Sequence, residues 1–350
     1  MRIALATPIS LRSFGGAERK LVEAANILVE RSHEVCIYAL SYAHPGRKVK
    51  VDELMRSLKY AGIEYYEKKH HKVSADVAYV VYAPLVWRKF RLRCPLIAGL
   101  HSPLLFPTNC SLTTFTNPLL TVKRYSSFKY MAVFWLSNTI KSLDLARFDA
   151  VRALNKVFNV KHKHVYYIPE WVNSKIFRPS GKGSDFTVFF SGRHHWEKGF
   201  TVFQKVVAAL KKKGLKMKFT CTGKTTELAK GMGFLNDEKL AEAYSYSHVV
   251  LYPSKMDMFS GVIAEAAACG TPVITTPIPA HVSVGLPLIY ANSVKEFVEA
   301  VMQIYNMWTE HSHEYNKLAQ KYRERILKYD VSEVFPTFER MLKEVVYTDQ

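Results

Sequence analysis

The sequence predicts an α/β protein of two domains, each built on a parallel sheet. Three observations lead there. Short apolar runs alternate with segments of helical period almost throughout the 350 residues, the pattern of successive βαβ units. That length exceeds what a single hydrophobic core usually serves. The alternation also restarts near Phe186, after a connection from Ile168 to Gly183 that carries two prolines and two glycines.

In the first half, Ile3 to Ala6 reads as a buried strand, and the opening MRIALATPIS suits that role better than a signal peptide because a proline interrupts its apolar run. Ala17, Leu21, Ala24, Ala25 and Leu28 recur at helical spacing. Val35 to Leu40, Val77 to Tyr82 and Leu96 to Leu100 are further strands, and residues 102–130, rich in Ser, Thr, Pro and Asn, read as a long functional loop. In the second half the spacing predicts strands over Phe186 to Phe190, Met217 to Thr222 and Val249 to Tyr252, and helices over Phe200 to Lys213 and Glu238 to Tyr244. The tail from Val294 is helical with a break at Asp330. The expected division is 1–168, 169–329 and a terminal helix, 330–350, packing back on the first domain.

Composition narrows the class. With 48% hydrophobic and 23% charged residues the chain is globular. Five scattered cysteines argue against a disulfide framework and for a reducing, cytoplasmic setting. No run of about twenty apolar residues is present, so no transmembrane span is expected; the nearest candidate, Tyr130 to Leu136, is too short. The net charge of +19 is uneven: residues 1–170 hold 26 Lys and Arg against 12 Asp and Glu, and residues 171–350 hold 23 against 18. The first half is therefore expected to meet something anionic.

Three constellations carry chemistry. Phe14-Gly15-Gly16-Ala17-Glu18 follows the first strand and opens the first helix, where glycines let amides approach a phosphate. The plain alternative is a turn that needs positive φ. The loop is not G-x-G-x-x-G, which disfavours a dinucleotide oxidoreductase. Second, Ser191 to Gly199 follows the first strand of the second half, and its Arg193 and Lys198 suit a diphosphate, one as a fork and one as a point charge; a solvated basic loop is the alternative. Third, Asp257 and Glu265 stand eight positions apart in DMFSGVIAEAAACGTPVITT. Phe259-Ser260-Gly261 opens a short Ala-rich helix that Gly270 ends. Carboxylates there can accept from sugar hydroxyls, and the first amides of the helix can hold phosphate. Glu265 among alanines needs a partner.

Together these motifs resemble the family 4 glycosyltransferases, over nearly the whole chain. G-G-x-E appears as Gly15, Gly16 and Glu18. G-R-x-x-x-E-K-G runs without a gap from Gly192 to Gly199. P-S-x-x-E-x-F-G-x-x-x-x-E-A-x-A-x-G-x-P-V runs from Pro253 to Val273, and I-P-N-G-V-D-x-x-x-F appears as Ile168-Pro169-Glu170-Trp171-Val172-Asn173 with Phe177. The resemblance implies a GT-B fold, two facing Rossmann-like domains with a cleft between them, and retaining transfer of a hexosyl-type sugar from a nucleotide-diphosphate donor without a metal or other cofactor. It assigns Arg193 and Lys198 to the diphosphate, Glu265 to the ribose, and Asp257 to the transferred sugar. Amides around Phe259, Ser260 and Gly261 go to sugar and phosphate. His101, in AGLHSP, falls beside the transferred sugar, Gly15 and Gly16 near the phosphate or acceptor, and Thr222, Gly223, Gly233 and Phe234 at the base.

The departures are Asp257 for Glu, Ser260 for Gly, and Glu170-Trp171 for Asn-Gly; the first two bear on which sugar is held. His194 and His195 raise a metal site, but neighbours in a loop seldom chelate one ion, and without a D-x-D the metal-dependent GT-A class is not expected. A basic first half, with Arg88 to Arg93 and Lys123 to Lys129 interleaving cations and apolar residues, suits a lipid-linked or polymer acceptor at an anionic membrane surface, a nucleic acid less well, or plain solvation. Other readings of the same motifs are a sugar-nucleotide epimerase, a non-catalytic nucleotide-sugar-binding protein, and a glycosyltransferase acting on protein or nucleic acid.

Overall fold

The computed structural model describes residues 1–13, 15–42, 52–101 and 140–348. Phe14, the loop expected over 102–130, the basic segment Lys123 to Lys129 and the apolar run Tyr130 to Leu136 lie outside the described residues. The described chain divides into two units. One holds residues 1–101, 140–169 and 335–348; the other holds 170–334.

The first unit carries a seven-stranded sheet of β1 (Arg2–Ile9), β2 (Glu34–Tyr42), β3 (Glu64–Glu67), β4 (Val77–Val81), β5 (Leu96–Leu100), β6 (Ala150–Ala153) and β7 (Val165–Tyr167). Its order is β3-β2-β1-β4-β5-β6-β7, and every pairing is parallel. β1 lies in the sheet interior between β2 and β4, with Ala4 opposite Cys36 on one side and Ala78 on the other. The central strands are buried on both faces, which is why they read as continuous apolar runs. The helix Gly16–Glu30 buries Leu21, Val22, Ala24, Ala25 and Leu28, so its apolar period of three and four is its packing face.

The second unit repeats the plan with six strands: β8 (Thr187–Phe190), β9 (Lys218–Cys221), β10 (Lys230–Gly231), β11 (Val249–Tyr252), β12 (Val273–Thr275) and β13 (Ile289–Tyr290). The order is β10-β9-β8-β11-β12-β13, again all parallel. Phe186, Val188, Phe190, Phe203, Val206, Val207, Phe297 and Val301 form much of its core. Both sheets thus have the strand order of a dinucleotide-binding fold.

The tail holds three helices, Val294–Glu310, Ser312–Ile326 and Val331–Thr348. It breaks at His311 as well as at the expected Asp330. At Asp330 the carboxylate accepts from the amides of Ser332 (2.9 Å) and Ser174 (3.0 Å), starting the last helix and tying it to the connection between the sheets. The second crossing between units falls after Val334, inside that helix, and not at Asp330. Within the first unit Glu339 accepts from Arg31 (2.7 Å), His33 (3.0 Å) and Lys343 (2.6 Å). Burial opposes its ionisation, but these donors prevail and bring its carboxyl down to about 2. No described helix is long and apolar enough to cross a membrane.

Of the expected basic surface, only Arg88 to Arg93 is described. Of its apolar members Phe90 is buried and Leu92 half-buried, and Trp87 just before the segment is buried too. Arg88 donates to Asp144 (2.8 Å), whose carboxyl is held below its ordinary value by donors that outweigh its burial. Arg88 to Phe90 belong to a short helical turn, and Arg88, Arg91 and Arg93 are exposed.

Candidate functional site

The carboxyl ends of β8 and β11 lie side by side at the centre of the second sheet, and their connections leave in opposite directions. Ligands of open α/β sheets sit at such a point. The loop after β8 runs from Ser191 to Gly199 and the loop after β11 from Pro253 to Ser260. They lock together through backbone: the Lys255 amide donates to the Glu197 carbonyl (2.8 Å), and the Ser254 hydroxyl donates there too (3.3 Å). Gly199 makes this possible. It sits at φ +73°, and a Cβ on it would fall 1.9 Å from the Pro253 carbonyl oxygen. On the other flank Thr222, at the end of β9, accepts from the Gly192 amide (2.9 Å) and donates to the Gly192 carbonyl (3.0 Å).

The lock brings Lys198 and Asp257 together. The Lys198 ammonium donates to Asp257 Oδ1 at 2.6 Å and to the Met256 carbonyl at 3.3 Å. Asp257 Oδ2 accepts from the Tyr252 hydroxyl (2.9 Å) and faces His281 Nε2 (3.0 Å). Asp257 is 7% exposed and His281 is wholly buried. Burial alone would raise the Asp257 carboxyl, but Lys198 and His281 overcome it and hold it far below the usual carboxylate range. Burial alone would lower the ammonium, and Asp257 more than restores it. Burial and the same carboxylate push the Tyr252 phenol up to about 12. A carboxylate offers about four lone-pair sites, so after three protein partners Asp257 retains capacity for one more donor.

Arg193 extends from the same loop, half-exposed, and donates to Glu197 at 3.2 Å. His194 stacks on Phe200 and donates to the Thr222 carbonyl at 2.6 Å, while His195 lies 3.4 Å from Glu197, so the two imidazoles face different neighbours. Among the described residues no group of three or more His, Cys, Asp or Glu is placed to hold a metal.

The helix Gly261–Ala268 begins at this edge. Ser260 is its N-cap and accepts from the Ile263 amide at 3.3 Å. The helix geometry leaves the Gly261 and Val262 amides without intrahelical acceptors. The Phe259 ring packs on Tyr329 in the core, so that residue offers backbone rather than side chain. Glu265, one turn on, is 4% exposed. Tyr244 is one of the partners its surroundings demand, and its hydroxyl donates to Glu265 at 3.2 Å. Gly223 and Gly233, both at positive φ, exchange amide and carbonyl (2.7 and 2.9 Å) beside the end of β9, and Phe234 next to them is 64% exposed.

In the first unit Gly15 and Gly16 open the first helix without positive φ, so a strained turn does not account for them. Glu18 accepts from the Gly15 amide (3.0 Å), and around Gly16 a Cβ would meet nothing within 4 Å. His101, just past β5, has Nε2 2.8 Å from the Tyr79 hydroxyl. Sequence reasoning missed His281, Tyr252, Tyr244, Tyr79 and Arg152. His281 alone carried a signal, a polar residue just past an apolar strand at the edge already singled out. The tyrosines look like ordinary core aromatics in sequence.

Residues 185–307 match the family described as glycosyl transferases group 1. EpsF of Bacillus subtilis strain 168, a putative glycosyltransferase by name, is 25% identical over 174 residues, 42% of this chain and 45% of that protein's length. The chain thus spans under half of that relative. Similar solved structures include sucrose-phosphate synthase of Thermosynechococcus elongatus (15% identity, TM-score 0.69, 99% of both chains covered). Another is HepE of Anabaena in complex with UDP and glucose (15% identity, TM-score 0.70, 97% and 99% covered). Arg193, Lys198, Asp257 and Glu265 all lie in the stretch that matches this family, and the chain has the fold of those solved structures, two Rossmann-like units of the GT-B class.

Proposed function

We propose that the protein is a retaining glycosyltransferase that takes a sugar from a nucleotide-diphosphate donor, with UDP as the first nucleotide to test because HepE is bound to it. The observation that carries this reading is Lys198 beside Asp257 at the carboxyl edge of β8 and β11, with Arg193 on the same loop. In the reaction the bond from the anomeric carbon to the donor phosphate breaks and a bond to the acceptor oxygen forms. The acceptor proton leaves with the diphosphate. Arg193, Lys198 and the amides of Gly261 and Val262 meet the charge that grows on that leaving group, and fixed donors in a water-poor site are most effective there. No metal is required in this scheme, since the chain supplies the cations.

Glu265 is assigned to the ribose, held by Tyr244 so that its carboxylate faces one way. Asp257 fixes Lys198 and keeps one acceptor site for a sugar hydroxyl. Thr222, Gly223, Gly233 and Phe234 border the base. His101 and Gly16 of the first unit are assigned to the transferred sugar and to the phosphate or acceptor by resemblance. The acceptor is a sugar, a lipid-linked sugar or a polymer.

Calorimetry with UDP tests the proposal. The unaltered protein is expected to bind UDP, and Arg193→Ala and Lys198→Met are each expected to lose affinity by a factor of 10 or more, since a hydrogen bond to a charged group contributes about 1.5–3 kcal/mol. Thermal melts confirm that both variants remain folded. UDP bound equally by all three proteins would sink the site assignment, and UDP release that acceptors never accelerate would favour a binding protein over a transferase.

A further inference from the structure

His281 lies in the short helix Pro279–Val282, just past β12, and is wholly buried. Both of its ring nitrogens nevertheless have polar partners. Nδ1 lies 2.9 Å from the Thr276 carbonyl oxygen and 3.0 Å from the Thr275 hydroxyl, and Nε2 lies 3.0 Å from Asp257 Oδ2. The ring is tilted against that of Tyr252, whose hydroxyl donates to the same carboxylate oxygen at 2.9 Å. Asp257 and Tyr252 are thus the titratable groups that face it, with Lys198 on the far oxygen of the carboxylate.

What each partner can do fixes the protons. A carbonyl oxygen only accepts, so Nδ1 must donate to Thr276. The Thr275 hydroxyl agrees, because its own proton goes to the Tyr252 carbonyl at 2.7 Å and leaves only lone pairs for the ring. An ionised carboxylate also only accepts. Asp257 is ionised, since the Lys198 ammonium lies 2.6 Å from Oδ1 and its carboxyl is held far below the ordinary range. Nε2 must then donate as well. A neutral imidazole has one ring proton and would set a nitrogen lone pair against an oxygen lone pair at one end or the other. Each nitrogen faces an acceptor-only oxygen within hydrogen-bond distance, whatever else surrounds the ring.

We propose that His281 is a buried imidazolium and a positioning residue for Lys198: it is the resident counter-ion of Asp257, which leaves Lys198 able to turn to the donor diphosphate. The role toward the diphosphate rests on the proposed function; the two ring protons do not. With one carboxylate between two cations, the cluster carries one net positive charge. The two cations differ in access. The Lys198 side chain is partly exposed and that of His281 is not exposed at all, so only the lysine can reach a ligand. Were Lys198 the sole cation, its turn toward a phosphate would strand a buried carboxylate, which is unfavourable. The imidazolium stays on Oδ2 and removes that penalty.

Long-range nitrogen–proton NMR at neutral pH, on the full chain with 15N-labelled histidine, tests the charge without a ligand. Signals lost in His281→Gln, or in His281→Asn should the first variant not fold, identify the ring. Both of its nitrogens are expected to carry a proton; an unprotonated Nδ1 or Nε2 overturns the inference. Asp257→Asn removes the ionised acceptor and is expected to return the ring to one proton, on Nδ1; a ring still doubly protonated there overturns the counter-ion role. Calorimetry tests the link to Lys198. Whichever His281 variant folds, as shown by its thermal melt, is expected to bind UDP about tenfold more weakly, the scale of one charge-assisted hydrogen bond. Uridine, which carries no phosphate, is expected to bind variant and parent alike. Unchanged UDP affinity, or an equal loss for uridine, overturns the role at Lys198. Failure of the parent to bind UDP would instead overturn the proposed function and leave the nitrogen result standing.

Discussion

Asp257 stands one methylene shorter than the glutamate of the motif it otherwise matches, and its surroundings show what that does. Its carboxylate stays close to the backbone of its own loop, where Lys198, Tyr252 and His281 reach it. Asp257→Asn would leave Lys198, whose side chain is 21% exposed, beside a neutral amide, and breaking a largely buried pair from one side costs up to about 3–5 kcal/mol. Urea unfolding at pH 7 should show that loss. The pH dependence has a definite sign. The folded-state carboxyl ionises far below its ordinary value of 3.8, so its stabilisation is complete above that value and is lost as pH falls beneath it. The stability gap between parent and Asp257→Asn should therefore be narrower at pH 3 than at pH 7. A gap of equal size at both would show that ionisation of Asp257 contributes nothing to the fold.

At the scale of elements, two glycines at the starts of helices have opposite duties. Gly199 precedes the helix Phe200–Lys211 with φ +73° and its missing Cβ faces the Pro253 carbonyl. Gly199→Ala must strain its backbone and part the two loops, so it should lower both the melting temperature and UDP affinity. A residue held in such a region costs about 1–3 kcal/mol before the clash is counted. Gly16 is the first residue of its helix, with ordinary φ and open space where a Cβ would stand. Gly16→Ala should leave the melting temperature unchanged or slightly raised, because alanine is the better helix former. If a phosphate or acceptor approaches that backbone, turnover or ligand affinity should nonetheless fall. Unchanged stability with unchanged function would remove Gly16 from the site. Motifs across these helix starts were legible because the residue types that bind phosphate are also those that shape the turn. The short strands β3, β7, β10 and β13 were not, since two to four residues hold no period.

At the scale of the whole molecule, most of the excess positive charge lies in the first 170 residues. In the described part of that surface Arg88, Arg91 and Arg93 are exposed while Trp87 and Phe90 serve the core. An anionic surface would then be met by charge and not by inserted apolar side chains. Flotation with phosphatidylserine vesicles should accordingly show binding at low salt that disappears at high salt, as screening at about 8–10 Å demands. Flotation that persists at 1 M salt would point to inserted apolar residues instead. No flotation at any salt, together with tight duplex binding, would reject the membrane version.

The sequence by itself determined the two parallel sheets, the order of the central strands' motifs and the loops that carry Arg193, Lys198, Asp257 and Glu265, because burial on both faces of a sheet and turns at helix starts constrain residue types locally. Only the tertiary structure decided the partners. Lys198 and Asp257 are 59 positions apart and meet because β8 and β11 are neighbours. Arg152 reaches Tyr79 across 73 positions because β6 and β4 flank β5. A buried charge or hydroxyl takes its direction, its protonation and its role from whichever groups the sheet order brings within about 3 Å, and that order is a property of the folded chain alone.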